Sequence, residues 1–180
     1  GLLATMMLYA VQVAGGFIDL QMGFAIANVI DPQTGVQSPL LGQYFYIFAL
    51  LFLLAVDGHH LIIDGIYHSY QLIAVDALFL PFASGAVAKH VVLSFVQMFI
   101  TAFQMSIPVV ASLFLVDVAL GIIARTVPQV NVFVVGLPLK IFISFFALLI
   151  SFSVLFVMID HLFEEKFDAM RTLIRLTGGV

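Results

Sequence analysis

The chain has 180 residues, 63% hydrophobic and 9% charged, with six Lys and Arg against ten Asp and Glu for a net charge of −4. A soluble domain carries roughly 25% charged residues, so this composition, with a mean hydropathy of +1.22, excludes an ordinary soluble protein and offers no basic footprint for nucleic acid. The absence of cysteine excludes disulfide frameworks, thiol catalysis and cysteine metal sites, and leaves the redox compartment open.

Such a chain reads as a single all-α membrane domain over residues 1–180, with room for four to five apolar helices of about 20 residues each. The opening, Gly1-Leu2-Leu3-Ala4-Thr5-Met6-Met7, has neither an initiator methionine nor a basic stretch. It is unlike a signal peptide or a natural amino terminus, and the expectation is a fragment cut inside a hydrophobic segment. The first segment, Gly1 to Ile30, carries no charge until Asp19 and contains Gly15, Gly16 and Gly23. Glycines at this density allow close helix packing or a kink. Asp31-Pro32-Gln33-Thr34-Gly35-Val36-Gln37-Ser38-Pro39 then has the chemistry of a turn, and Ser38 followed by Pro39 predicts a cap and first-turn pair for the next helix.

The second helix is predicted from Leu40 through Val56, after which Asp57-Gly58-His59-His60-Leu61-Ile62-Ile63-Asp64 places four titratable groups within eight residues. On a continuous helix Asp57, His60 and Asp64 share a face, the geometry of a metal or proton site. The competing reading has Gly58 breaking the helix near a membrane surface, with these groups merely hydrated. No H-E-x-x-H pattern accompanies them and no other carboxylate–histidine pair completes a ligand set, so neither a metal nor a cofactor is expected.

The helical pattern weakens after Tyr70 through Asp76, Pro81 and Gly85. Ser84 is a cap for a third helix, apolar from Val91 to Val116, with Pro108 kinking or dividing it and Ser106 available to the freed carbonyl. Asp117 and Arg125 bracket its end at Arg125–Thr126. The stretch Val127 to Lys140, V-P-Q-V-N-V-F-V-V-G-L-P-L-K, is expected to be irregular between its prolines at 127–138, with Pro138 opening the next helix. At membrane depth so apolar an irregular segment must lie against protein, and the plain alternative is an apolar extracytoplasmic loop. A last apolar helix from Pro138 to Asp160 carries Phe142, Phe145, Phe146, Phe152 and Phe156, a stripe for packing against helices or lipid. The tail, His161 to Leu176, is an amphipathic helix with three of the six basic residues, ended by Gly178-Gly179 and assigned to the cytoplasm by its charge.

Four motifs then combine. Gly15-Gly16-Phe17-Ile18-Asp19-Leu20-Gln21-Met22-Gly23, Asp31-Pro32, Asp57-Gly58-His59 and the run from Pro128 to Lys140 follow in the order and spacing of the FliR family, which the chain resembles over essentially its whole length. Members are the R component of the flagellar export gate and the equivalent subunits of virulence type III secretion systems. Family members have a further amino-terminal helical segment, so the chain corresponds to roughly the last two thirds of one. It departs from the family at Gly16 and Asp19, where an acidic residue and a glycine are usual in the reverse order, and at His60.

The resemblance implies a non-enzymatic subunit of a protein-conducting channel in the bacterial inner membrane, at the base of a flagellum or injectisome. The implied partners are the P and Q subunits, the B-type switch subunit, unfolded export substrates and membrane lipid. The family's plug loop falls on Gln21 to Gly35, which makes Gln21, Met22, Gly23, Phe24, Ile26, Val29, Ile30, Asp31 and Pro32 candidate gate residues. Pro128, Gln129, Asn131, Phe133, Gly136 and Pro138 become candidates for packing against neighbouring subunits, and a chain expressed without them is expected to aggregate. A secondary transporter with broken helices is the alternative, without a visible internal repeat to support it. An intramembrane enzyme built on Asp57 and Asp64 is third, without an obvious nucleophile.

Overall fold

The computed structural model describes residues 2–24, 39–72, 85–129 and 131–178. Among them are five α-helices and no strand: α1 Leu2–Met22, α2 Leu40–Ala55, α3 Gly58–Leu72, α4 Gly85–Thr126 and α5 Val132–Gly178. The all-helical membrane class expected from the sequence is therefore the architecture seen. By length and composition α1, α4 and α5 can each cross a membrane, and α2 with α3 forms a bent pair that counts as a fourth span.

Burial ranks these helices. The apolar window of α1 is 44% buried inside the chain, against 17% for those of α4 and α5, so α1 is the central helix and not a lipid-facing one. Its inward stripe, Leu3, Met7, Ala10, Val11, Ala14, Ile18 and Met22, repeats every three to four residues and packs on α4, α2 and α5. Small residues bring α2 close. A Cβ on Gly15 would stand 2.6 Å from the Gly42 Cα, so the two helices cross at a glycine pair that admits no larger side chain.

Helices α4 and α5 hold 42 and 47 residues, about 63 and 70 Å at 1.5 Å per residue. Each is about twice the ~30 Å hydrocarbon core of a bilayer, so neither is a simple span. Pro108 sits inside α4 and withdraws the donor that the Gln104 carbonyl would have used. Ser106 does not serve that carbonyl as expected. Its hydroxyl donates to the Phe103 carbonyl at 2.8 Å, and the Ser112 hydroxyl donates to that of Pro108 at 2.7 Å.

The segment 127–138 needs correction. α4 ends at Thr126 as expected, but α5 begins at Val132 and takes in Pro138 as its seventh residue, so only 127–131 falls between the helices. The Asn131 carbonyl accepts from the amides of Val134 and Val135 and starts the helix. Gly136 then lies against Leu120 of α4, where a Cβ would come within 3.0 Å of Leu120 Cδ1. Close helix–helix packing at Gly136 offsets the single backbone bond that Pro138 removes. The amphipathic tail is likewise no separate helix but the continuation of α5. Its phenylalanines divide in two: Phe152 and Phe156 meet Phe48 and Phe52 of α2, while Phe142, Phe145 and Phe146 face outward.

Candidate functional site

The end of α1 is built by local chemistry and then fixed by distant residues. Gly23 has φ of +89°, a conformation glycine adopts without a Cβ penalty. Its amide donates to the Leu20 carbonyl at 3.3 Å, and the Phe24 amide to that of Asp19 at 3.2 Å, the paired bonds of a Schellman cap. Around this cap three helices converge. The Gln21 side-chain amide donates to Asp117 Oδ2 of α4 at 2.9 Å. Lys140 of α5 forms an ion pair with Asp117 Oδ1 and donates to the Gln21 carbonyl at 3.3 Å. One carboxylate thus binds both neighbours, and the lysine closes the ring back onto the α1 backbone. A cavity of about 330 Å³ lies beside it, lined among others by Met22, Gly23, Leu120, Leu137 and Lys140.

Of the candidate gate residues, Gln21 and Gly23 belong to this hub, Met22 is buried and Phe24 packs on the core. Ile26, Val29, Ile30, Asp31 and Pro32 lie outside the described residues. The candidate packing residues scatter. Pro128, Gln129, Asn131 and Pro138 are exposed, the Phe133 side chain is outside the described set, and Gly136 is buried against α4 within the chain. Asp117 and Lys140 were visible in the sequence only as the ends of apolar runs. Their rarity in so apolar a chain was the available signal.

Asp19, one turn before Gly23, has a second role. Its Oδ2 accepts from the amides of Leu41 and Gly42 at 2.8 and 3.3 Å, so a carboxylate of α1 caps the first turn of α2 from outside. Pro39 occupies the cap position with no side-chain cap of its own, and Ser38, the expected cap, is outside the described residues. The positive end of the α2 dipole makes a carboxylate the favoured occupant there. Lower on α5, the buried Lys166 donates to the Ser94 carbonyl at 3.1 Å, and His90 Nε2 donates to that of Ala169 at 3.0 Å, which docks the start of α4 on the α5 tail.

The acidic and histidine cluster departs from the helical-face expectation. α2 stops at Ala55, α3 starts at Gly58, and the two axes bend by 76°. Asp57 lies in the break with φ of +56°, so the i, i+3 and i, i+4 register that would align it with His60 and Asp64 does not apply. The structure instead groups Asp57, His59 and His60, whose donor atoms lie within 4.8 Å of one another. Asp64 turns to His68 at 3.6 Å on the exposed face of α3.

The sequence that builds this arrangement has counterparts among known proteins. The family model described as "Bacterial export proteins, family 1" matches residues 1–166. The flagellar biosynthetic protein FliR of Bacillus subtilis (strain 168) is 61% identical over 178 residues, covering 99% of this chain and 69% of that protein. FliR of Escherichia coli (strain K12) is 26% identical over 169 residues, 92% of this chain and 62% of its own length. The surface presentation of antigens protein SpaR of Shigella flexneri is 29% identical over 143 residues, covering 79% and 54%. The chain therefore spans just over half to about two thirds of the length of these relatives. With a match over residues 1–166 and a relative at 61% identity, the chain belongs to family 1 of the bacterial export proteins.

Proposed function

We propose that the chain is the membrane-embedded part of an R-type subunit of a bacterial protein-export gate, serving flagellar assembly or a related secretion system from the cell membrane. The family match supports this reading, and relatives named for flagellar biosynthesis and for a secretion system apparatus agree with it. The transporter alternative has no counterpart among these relatives. The role is one of assembly and gating, without catalysis. P- and Q-type subunits and a B-type switch subunit are the proposed partners, with unfolded export substrates as cargo.

The observation that carries the gating proposal is the hub at the root of the candidate plug. Gln21, Asp117 and Lys140 hold the last turn of α1 to α4 and α5 directly before Gly23, so the segment that follows leaves from a fixed point. A plug needs such an anchor, because apolar side chains block a lumen only if their base does not move with the load. Removing a large apolar contact costs roughly 2–5 kcal/mol, enough to shift a closed–open equilibrium when the contact exists only in the closed state. Replacing Phe24, Ile26 and Val29 together by glycine therefore raises ion leak through the assembled complex while leaving its composition unchanged. A triple variant that assembles and stays as tight as the parent defeats the plug assignment. Failure of the chain to co-purify with small hydrophobic partner subunits defeats the gate reading itself.

A further inference from the structure

We propose that the elbow between α2 and α3 is a binding site for a divalent transition-metal ion, held by Asp57, His59 and His60. Three independent features meet there. The first is the donor set: one carboxylate oxygen and two imidazole nitrogens, all within 4.8 Å of one another, close enough for side-chain rotation to bring them onto one ion. One carboxylate with two imidazoles suits zinc and its borderline neighbours cobalt and nickel, and three protein ligands leave a position for water.

The second feature is backbone strain at a ligand. Asp57 is the one described residue other than glycine with a positive φ, +56°. Asp tolerates this region better than most residues, yet glycine would occupy it with less strain. A glycine is available next door and is used for something else. A Cβ on Gly58 would meet Leu53 Cδ1 at 2.8 Å and the Leu53 carbonyl at 3.2 Å, so Gly58 lets α3 fold back onto the end of α2. The strained position keeps a carboxylate that accepts no capping bond and has no salt-bridge partner among the described residues. Strain kept at a polar side chain is a mark of a site.

The third feature is an orphan atom. His59 Nδ1 is buried and has no hydrogen-bond partner, while the His59 and His60 ring centroids lie 4.1 Å apart. A buried nitrogen without a partner is unfavourable, and a cation relieves it by accepting the lone pair of the unprotonated imidazole nitrogen. The elbow backbone is already satisfied by the Val56, Asp57 and His60 amides, which donate to the carbonyls of Phe52, Leu54 and Asp57. The side chains are thus free to bind without loss of a structural bond. The bound ion would tie the first turn of α3 to the left-handed residue before it and stiffen the bend. This inference is independent of the export reading.

The test uses the protein purified without a polyhistidine tag, in detergent, with its co-assembled subunits. Equilibrium dialysis against zinc followed by elemental analysis is expected to find one ion per chain, and titration with cobalt to give the visible absorption bands of a nitrogen–oxygen site of low coordination number. Asp57→Gly removes the carboxylate while suiting the left-handed backbone, so it keeps the fold. Both it and His60→Ala, at an exposed position, are expected to weaken zinc retention by at least about tenfold. His68→Ala and His161→Ala retain the ion. No stoichiometric zinc and no cobalt bands in the parent protein overturn the proposal. Equal retention in Asp57→Gly and His60→Ala, or loss in the two control variants instead, overturns it as well.

Discussion

Among the described residues two helices end in left-handed backbone, α1 at Gly23 and α2 at Asp57, and they are stabilised in different ways. At Gly23 the residue suits the conformation, the Schellman bonds satisfy the last carbonyls, and side chains from α4 and α5 converge on the final turn. At Asp57 the residue is strained, local backbone bonds and the packing of Gly58 on Leu53 hold the bend, and the nearby side chains have their polar atoms turned to one another. Fixed ends are made by partners far away in sequence, and an end that lacks them either bends or waits for a ligand. In this molecule the first kind lies at the root of the candidate gate and the second on an exposed elbow.

The comparison can be broken at four places. Lys140→Met removes the ion pair and the bond to Gln21, leaving Asp117 with Gln21 alone. With Lys140 19% and Asp117 38% exposed, solvent screening discounts the loss to about 1–2 kcal/mol, read as a lower thermal midpoint of the purified assembly. Asp19→Ala uncaps α2 and is expected to cost about 1–2 kcal/mol, with Asp19→Asn recovering part of it through its remaining acceptor oxygen. Circular dichroism during titration with a denaturing detergent checks both. Gly23→Ala forces a Cβ into φ of +89° for about 1 kcal/mol. Among the described residues the nearest atom to an added Cβ is Leu137 Cδ1 at 3.9 Å, an ordinary contact without a clash, so backbone strain sets the effect. The smallest change is at the elbow. Asp57→Gly, measured without metal, leaves stability the same or higher by up to about 1 kcal/mol, opposite in sign to Gly23→Ala. A loss there would mean that the carboxylate makes a structural bond and would erase the contrast.

These contrasts mark how far the sequence could be read. Apolar runs bounded by turn residues revealed the helices at Leu40–Ala55 and up to Thr126, and Gly23 and Gly58 marked the ends, because such signals act within a few residues. Pro138 misled for the same reason: the local preference for a first-turn position yielded to the fit of Gly136 against Leu120, 16 residues earlier in the chain. Asp57, His60 and Asp64 were set on one face by a periodicity that holds only inside a continuous helix. The pairing of Asp19 with the α2 amides, of Asp117 with Lys140 and of Lys166 with Ser94 has no local signal at all. Each charge was visible, and its partner was set by packing.

The two long-range bonds at the carboxyl end of α1 also differ in when they can form. The Asp19 cap on Leu41 closes 22 residues of chain, whereas Lys140 reaches Gln21 across 119. Closing the longer loop costs about 1.5 kcal/mol more in chain entropy. It also requires residues made much later, since synthesis proceeds from the amino end. As the chain emerges, α1 and α2 therefore dock through Asp19 and the Gly15–Gly42 crossing before α4 or α5 exists. The hub at Gln21 is the last joint to close: Asp117 of α4 is made first and takes the Gln21 side chain, and Lys140 follows to complete the ring.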